Sequence, residues 1–231
     1  MATEDEKNKT IAVVTYLGVA LLDLVVTQTV LDRGTKYQTV SVGERTEPIA
    51  SDTPMAVVPE KRFEEVPDTF ALIVPGGGRA SLEAMGNEAI RSYVRSAAET
   101  AEVAGSICTG ALIVASVGLL EGRQATTHWV YYRILEQFGA RYVRKRWVED
   151  GKFISSAGVT AGVDMALHLA ARLTDEKTAR RVQRSLAYDP HPPFGGMDYD
   201  HLGAMSAVRA GLSLAAPVIA AKPKRMIRQN R

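Results

Sequence analysis

Cysteine, histidine and net charge are all scarce in this chain, and each scarcity narrows what the protein does. A single cysteine in 231 residues excludes an internal disulfide and a thiolate metal cluster, and it fits a reducing cytoplasm. The four histidines, His128, His168, His191 and His201, include no pair at H-x-x-x-H spacing, so no metal site is expected. Aromatic residues make up 6% of the chain, and none stud a basic face. The net charge is only +2, and without the five cations Lys222, Lys224, Arg225, Arg228 and Arg231 it would be −3. Nucleic acid is therefore not an expected partner. Arg141, Arg144, Lys145 and Arg146 read as a solvated edge. Residues 1–9 and about 222–231 read as flexible tails, and the opening MATEDEKNKT lacks the basic start of a signal peptide. Residues 11–31 carry one charge, Asp23. A mid-span charge is costly in lipid, and the run turns from β-branched to helix-like at Tyr16-Leu17-Gly18. No membrane span is expected.

What is present is an ordinary globular composition, 46% apolar and 23% charged, in a chain long enough for one large domain over 1–231. Short apolar runs alternate with helical stretches, which argues for an α/β fold around a mostly parallel sheet. Strands are expected at 11–16, 37–42, 55–58, 70–74 and 102–107, with a hairpin at 146–150 and 152–155 turning on Asp150-Gly151. Helices are expected at 21–31, from the glycine run to about 99, from 110 to about 120, and at 128–138, 160–173, 176–187 and 203–215. Thr174-Asp175-Glu176 reads as a helix cap.

Three marked places fall at strand ends, where open parallel sheets bind ligands. Ser106-Ile107-Cys108-Thr109-Gly110 has the form of a nucleophile elbow with cysteine in the reactive position, a strained turn between strand and helix. The helix start behind it is expected to favour the thiolate. The alternative is a buried structural cysteine. Asp23, the one charge in its apolar run, is expected to have a raised pKa through desolvation, as general acid–base work needs; the alternative is a helix-start cap. Gly76-Gly77-Gly78 lacks dinucleotide or P-loop spacing, so no cofactor is expected. Such a run exposes backbone N–H groups, as an oxyanion hole requires, or it makes a tight turn. His128 either faces the site or caps its helix, and a Cys–His–Asp triad through it stays open. His168 reads as packed.

The chain resembles the ThiJ/PfpI superfamily, of class I glutamine amidotransferase-like fold, and within it the isonitrile (isocyanide) hydratases. The matching pieces are Leu22-Asp23-Leu24, Val74-Pro75-Gly76-Gly77, Cys108-Thr109-Gly110, Gly118-Leu119-Leu120-Glu121-Gly122-Arg123, Ala125-Thr126-Thr127-His128-Trp129, Val159-Thr160-Ala161-Gly162-Val163-Asp164 and Pro192-Pro193-Phe194. The resemblance implies a flavodoxin-like, doubly wound sheet with helices on both faces, and commonly a homodimer. It implies Cys108 as nucleophile, Asp23 as its acidic partner, and Gly77 and Thr109 as backbone donors. Gly76, Gly78, His128 and Val159 would line the pocket. The implied reaction is thiolate addition to an isonitrile carbon, giving a thioimidate that water releases as an N-substituted formamide.

Two departures are visible. Many superfamily peptidases, chaperones and glyoxalase-type members have His after the cysteine, where this chain has Thr109. Isonitrile hydratases usually continue L-D-L with T-G-P, where this chain has Val25-Val26-Thr27. Two other readings compete. One is a redox or ligand sensor, since regulator domains share the central motifs; only about 30 residues follow the loop at 189–196, against ~100 for an appended DNA-binding domain. The other is a hydrolase or aldehyde-acting enzyme with His128 as base.

Overall fold

A computed structural model of the chain describes residues 9–197. The helix expected at 203–215, His201 and, apart from Lys9, both expected tails lie outside the described residues. The chain divides into two compact units at Pro192. Every helix and strand named below belongs to the first, and of the second only residues 192–197 are described, a turn closed by Gly195 N donating to Pro192 O.

The sheet has seven strands. In chain order its members are β1 (Thr10–Val14), β2 (Gln38–Gly43), β5 (Lys61–Arg62), β6 (Ala71–Val74), β7 (Val103–Ile107), β10 (Trp147–Asp150) and β11 (Phe153–Ser156). Their spatial order is β10-β11-β7-β6-β1-β2-β5. All neighbours run parallel except the β10–β11 hairpin. Both faces of the central strands are covered: every residue of β6 (ALIV) and of β7 (VAGSI) is buried, including Gly105 and Ser106. Between β1 and β6 the winding reverses, and the crevice at such a reversal is the expected ligand position.

Helices cover both faces. On one side α1 (Leu21–Gly34), α6 (Ala161–Leu173) and α7 (Glu176–Ser185) pack together; on the other lie α2 (Arg79–Ala84), α3 (Glu88–Thr100), α4 (Gly110–Ser116) and α5 (Tyr132–Gln137). Leu24 and Leu31 of α1 and Met165 and Leu169 of α6 pack on Ile11, Val13, Ile73, Ile107 and Ile154 of the sheet. Each such side chain contributes about 1.5–3 kcal/mol by leaving water. Asp175 caps α7 through the Thr178 N–H at 2.7 Å, as the sequence indicates.

Several elements differ from expectation. The strand at 55–58 shrinks to β4 (Ala56–Val57), outside the main sheet and antiparallel to β3 (Ile49–Ala50). The long helix after the glycine run is two, broken at Met85-Gly86, with Asn87 capping α3 through the Ala89 and Ile90 N–H groups. Helix α4 stops at Ser116, and residues 129–131 form a 3-10 turn before α5. The two-residue strands β8 (Gln124–Ala125) and β9 (Arg141–Tyr142) pair with each other, too short for a periodic signal. No described helix is long and apolar enough to cross a membrane.

Candidate active site

Strand β7 ends at Ile107, and the next residue takes a conformation L-amino acids avoid: Cys108 has φ +53°. Such strain costs of order 1–3 kcal/mol and needs the surroundings to enforce it. Both backbone groups of Cys108 are held. Its N–H donates to Ser156 O at 2.9 Å, and its carbonyl accepts the buried Thr127 hydroxyl at 2.8 Å. Beyond it, a Cβ on Gly110 would lie 2.0 Å from Val74 O and 2.7 Å from Pro75 O. Only glycine lets α4 start this close to the end of β6. The elbow is therefore real in backbone geometry, with the cysteine 8% exposed.

Asp23 sits in the first turn of α1 but does not cap it. The α1 N-terminus is capped from across the chain, by Asp52 Oδ1 accepting the Leu21 N–H at 2.9 Å. Asp23, 1% exposed, turns inward, where Oδ2 accepts the Gly76 N–H at 2.9 Å. Its other oxygen, Oδ1, is buried without a hydrogen-bond partner. The Val25-Val26-Thr27 departure leaves this aim intact, since Thr27 Oγ1 simply bonds back to Asp23 O at 2.8 Å. Gly76 marks the point of convergence. A Cβ there would lie 2.8 Å from Asp23 Oδ2, 2.9 Å from Cys108 Cβ and 2.9 Å from Thr109 Oγ1. Asp23 from the first turn of α1 and Cys108 and Thr109 from the end of β7 meet over one missing methyl after β6.

Burial pushes Asp23 up to about 7, aided by the charge of Asp52 and opposed by the Gly76 N–H. Burial also pushes the Cys108 thiol up to about 12, with Asp23 and Asp52 adding to it and the Thr109 N–H and hydroxyl opposing. The expectation that the helix start favours the thiolate is thus overturned: desolvation at the strand end outweighs those donors. At neutral pH the cysteine holds its proton while Asp23 lies near its midpoint. Asp23 acts on the thiol through its charge, which disfavours the thiolate.

The DJ-1/PfpI family matches residues 9–172, more than half of the chain. The chain belongs to that family. It is 41% identical over 147 residues to an isonitrile hydratase of Pseudomonas putida, a match covering 64% of each chain and so just under two thirds of that relative's length. It is 23% identical over 194 residues to Protein DJ-1alpha of Drosophila melanogaster, covering 83% of this chain and 89% of that one. A solved ThiJ/PfpI family protein from Pseudomonas syringae superposes with a TM-score of 0.83 at 32% identity, covering 91% of this chain and 87% of the other.

In this DJ-1/PfpI protein the glycine run behaves differently from the expected pair of free donors. Gly77 N–H and Gly78 N–H both donate to Thr109 Oγ1, at 3.1 and 2.9 Å. The Gly77 donor is thereby engaged, and Thr109 holds the run in place with its side chain. Both the Thr109 N–H and its hydroxyl act to lower the thiol's pKa. His128 is a cap: its Nδ1 accepts the Val130 N–H at 3.4 Å, so the neutral ring carries its hydrogen on Nε2. Burial lowers its pKa, and with Nδ1 engaged no Cys–His–Asp triad forms through that nitrogen. Val159 is half-buried in the turn after β11, its carbonyl accepting the Gly162 N–H at 3.0 Å. His168, read as packed, is only partly so, stacking on Trp147 at 4.2 Å and meeting Glu149 at 2.8 Å.

Four residues at the site escaped the sequence. Tyr16, beyond the end of β1, hydrogen-bonds Pro75 O and Ser81 Oγ, both at 2.9 Å. Ser81 in turn meets Thr109 Oγ1 at 2.7 Å. The Tyr131 hydroxyl lies 3.8 Å from where a Gly78 Cβ would be and feels the charge of Cys108. Asp52 arrives because Val19 and Ser51 form a β-bridge. Tyr16 follows a buried strand and could have been noticed for that. Nothing local distinguishes the others. Among the described residues no cluster of His, Cys, Asp or Glu could hold a metal.

Proposed function

We propose that the protein is an isonitrile hydratase-like lyase, converting an organic isonitrile and water to an N-substituted formamide through a Cys108 thioimidate. The observation that carries this reading is the convergence of Asp23 Oδ2, Cys108 Cβ and Thr109 Oγ1 on Gly76, with Asp23 near 7. A thiol raised to about 12 needs a base beside it, and the Asp23 carboxylate is that base. It takes the thiol proton as sulfur attacks the isonitrile carbon. The C–S bond forms, and the carbon lone pair receives the same proton back from Asp23, giving Cys108–S–CH=N–R. Water adds to that carbon, the C–S bond breaks, and the formamide leaves with the thiol restored. The orphan Oδ1 supplies an unengaged oxygen for this transfer. The Thr109 N–H supports the sulfur while it is charged.

The similarity to the Pseudomonas putida isonitrile hydratase supports this reading. So does Thr109, which leaves no histidine after the nucleophile. A single ThiJ/PfpI-type domain, a small-molecule substrate and a homodimer belong to the same proposal. A redox sensor fits less well, because a thiol pushed to about 12 reacts slowly with peroxide. A hydrolase using His128 fits less well, because its Nδ1 already accepts the Val130 N–H. The experiment is incubation of reduced protein with cyclohexyl and aryl isonitriles, following formamide by NMR. Turnover that disappears in Cys108→Ala supports the proposal; no turnover across the panel with Cys108 shown to be reduced refutes it.

A further inference from the structure

The Gly76 N–H that grips Asp23 Oδ2 at 2.9 Å belongs to the same peptide group as Pro75 O. That peptide is trans, so its carbonyl and its N–H point in opposite directions along one plane that turns as a unit. Glycine on the C-terminal side leaves the plane few steric restraints, and other contacts must fix it. Pro75 O accepts the Tyr16 hydroxyl at 2.9 Å. A carbonyl only accepts, so the single Tyr16 hydrogen is committed there. Toward Ser81 Oγ, 2.9 Å away, the Tyr16 oxygen is therefore the acceptor. Ser81 Oγ is in turn 2.7 Å from Thr109 Oγ1, which holds the Gly77 and Gly78 N–H groups. Tyr16 is 5% and Asp23 1% exposed, so bulk water does not compete for either end of the peptide.

We propose that Tyr16 is a positioning residue: its hydroxyl holds the Pro75–Gly76 peptide plane so that the N–H stays on Asp23 Oδ2, and Ser81 keeps that hydroxyl aimed. With Oδ2 held, the unpartnered Oδ1 is the oxygen left to exchange a proton. A hydrogen bond accepted at the carbonyl also strengthens the N–H of the same group as a donor. Removing the Tyr16 hydroxyl takes that donor from Pro75 O, frees the plane to turn and weakens the bond that favours the Asp23 carboxylate. Asp23 then keeps its proton to higher pH. The other groups facing Asp23 are the Asp52 carboxylate and the Cys108 thiol, and Tyr16→Phe leaves both in place.

This role rests on Asp23 as the acid–base group of the proposed reaction, but its test reads the carboxyl itself and needs no isonitrile. The full chain, labelled at aspartate, is titrated by carbon NMR, and the Asp23 signal is assigned by its absence from Asp23→Asn. Tyr16→Phe is expected to move the Asp23 midpoint up by ~1 pH unit and to speed solvent exchange of the Gly76 N–H by ~10-fold. Ser81→Ala is expected to act with the same sign and smaller size, and it serves if Tyr16→Phe does not fold. Tyr93→Phe removes an unpartnered buried hydroxyl on α3 and is expected to leave the midpoint in place. An unmoved or lowered midpoint in the folded Tyr16→Phe protein overturns the proposal, lowering being what loosened packing that admits water produces. An equal rise in Tyr93→Phe overturns it too. A parent that turns over no isonitrile refutes the proposed reaction and leaves this titration readable.

Discussion

Gly76 donates its N–H to Asp23 Oδ2 at 2.9 Å, although 53 residues separate them in sequence. The glycine is both the carboxylate's anchor and the gap through which it meets the cysteine. Gly76→Ala would place a Cβ within 2.9 Å of Asp23 Oδ2, Cys108 Cβ and Thr109 Oγ1, all held by packed backbone. Misplacing reacting groups by about 1 Å typically costs ~100-fold in rate. The expected outcome is a folded protein, less stable by roughly 1–3 kcal/mol, with turnover on any isonitrile reduced at least ~100-fold. Thermal melts and formamide assays check both parts.

Asp23 makes the folded protein pH-sensitive in a defined direction. Its pKa rises from 3.8 to about 7 on folding, so the folded state binds this proton more tightly than the unfolded state. The stabilisation is fully present below about pH 4 and is lost as pH rises through about 7. Asp23→Asn removes the titration. Measured by denaturant unfolding at about pH 5 and pH 8, the parent should lose on the order of 3 kcal/mol more than the variant. Activity should fall ~100- to 10,000-fold in the variant.

In the proposed mechanism the Asp23–Cys108 pair is competent when it holds one proton, so kcat/KM for an isonitrile should rise with pH through about 7. Asp52 raises both partners and also caps α1. Asp52→Asn keeps an oxygen for the Leu21 N–H while removing the charge, and it should move the acidic limb of the profile to lower pH. Asp52→Ala should move it likewise and in addition cost ~1 kcal/mol of stability through the lost cap. A limb that stays put in both variants contradicts the electrostatic role.

Thr127 holds the strained elbow through its 2.8 Å bond to Cys108 O. Thr127→Val keeps the volume and leaves that carbonyl buried and unpaired, at an expected cost of about 1–3 kcal/mol. Thermal unfolding at fixed pH measures it.

How legible all this was depends on whether the signal is local. The central strands announce themselves because burial on both faces demands apolar or small residues throughout, as in 70–74 and 103–107. Cys108 between a strand and Thr109-Gly110, and Asp23 alone in an apolar run, carry their chemistry in their neighbours. The two-residue strands could not be read, since pairs such as Lys61–Arg62 and Ile49–Ala50 are too short for any period. Asp52 reaches α1 only through the Val19–Ser51 bridge, a tertiary event. The thiol's direction was misread because the helix start is local and visible, whereas the desolvation that outweighs it comes from packing. Gly77 was misread for a related reason: its N–H meets the side chain of Thr109, a residue 32 positions away.

The most direct test of the account is intact-protein mass spectrometry on acid-quenched mixtures of reduced protein and a cyclohexyl or aryl isonitrile. The account predicts a species heavier by one whole isonitrile molecule, mapped to Cys108 and replaced by free thiol as formamide appears. Formamide without any adduct at Cys108, or neither formamide nor adduct while Cys108 is reduced, contradicts it.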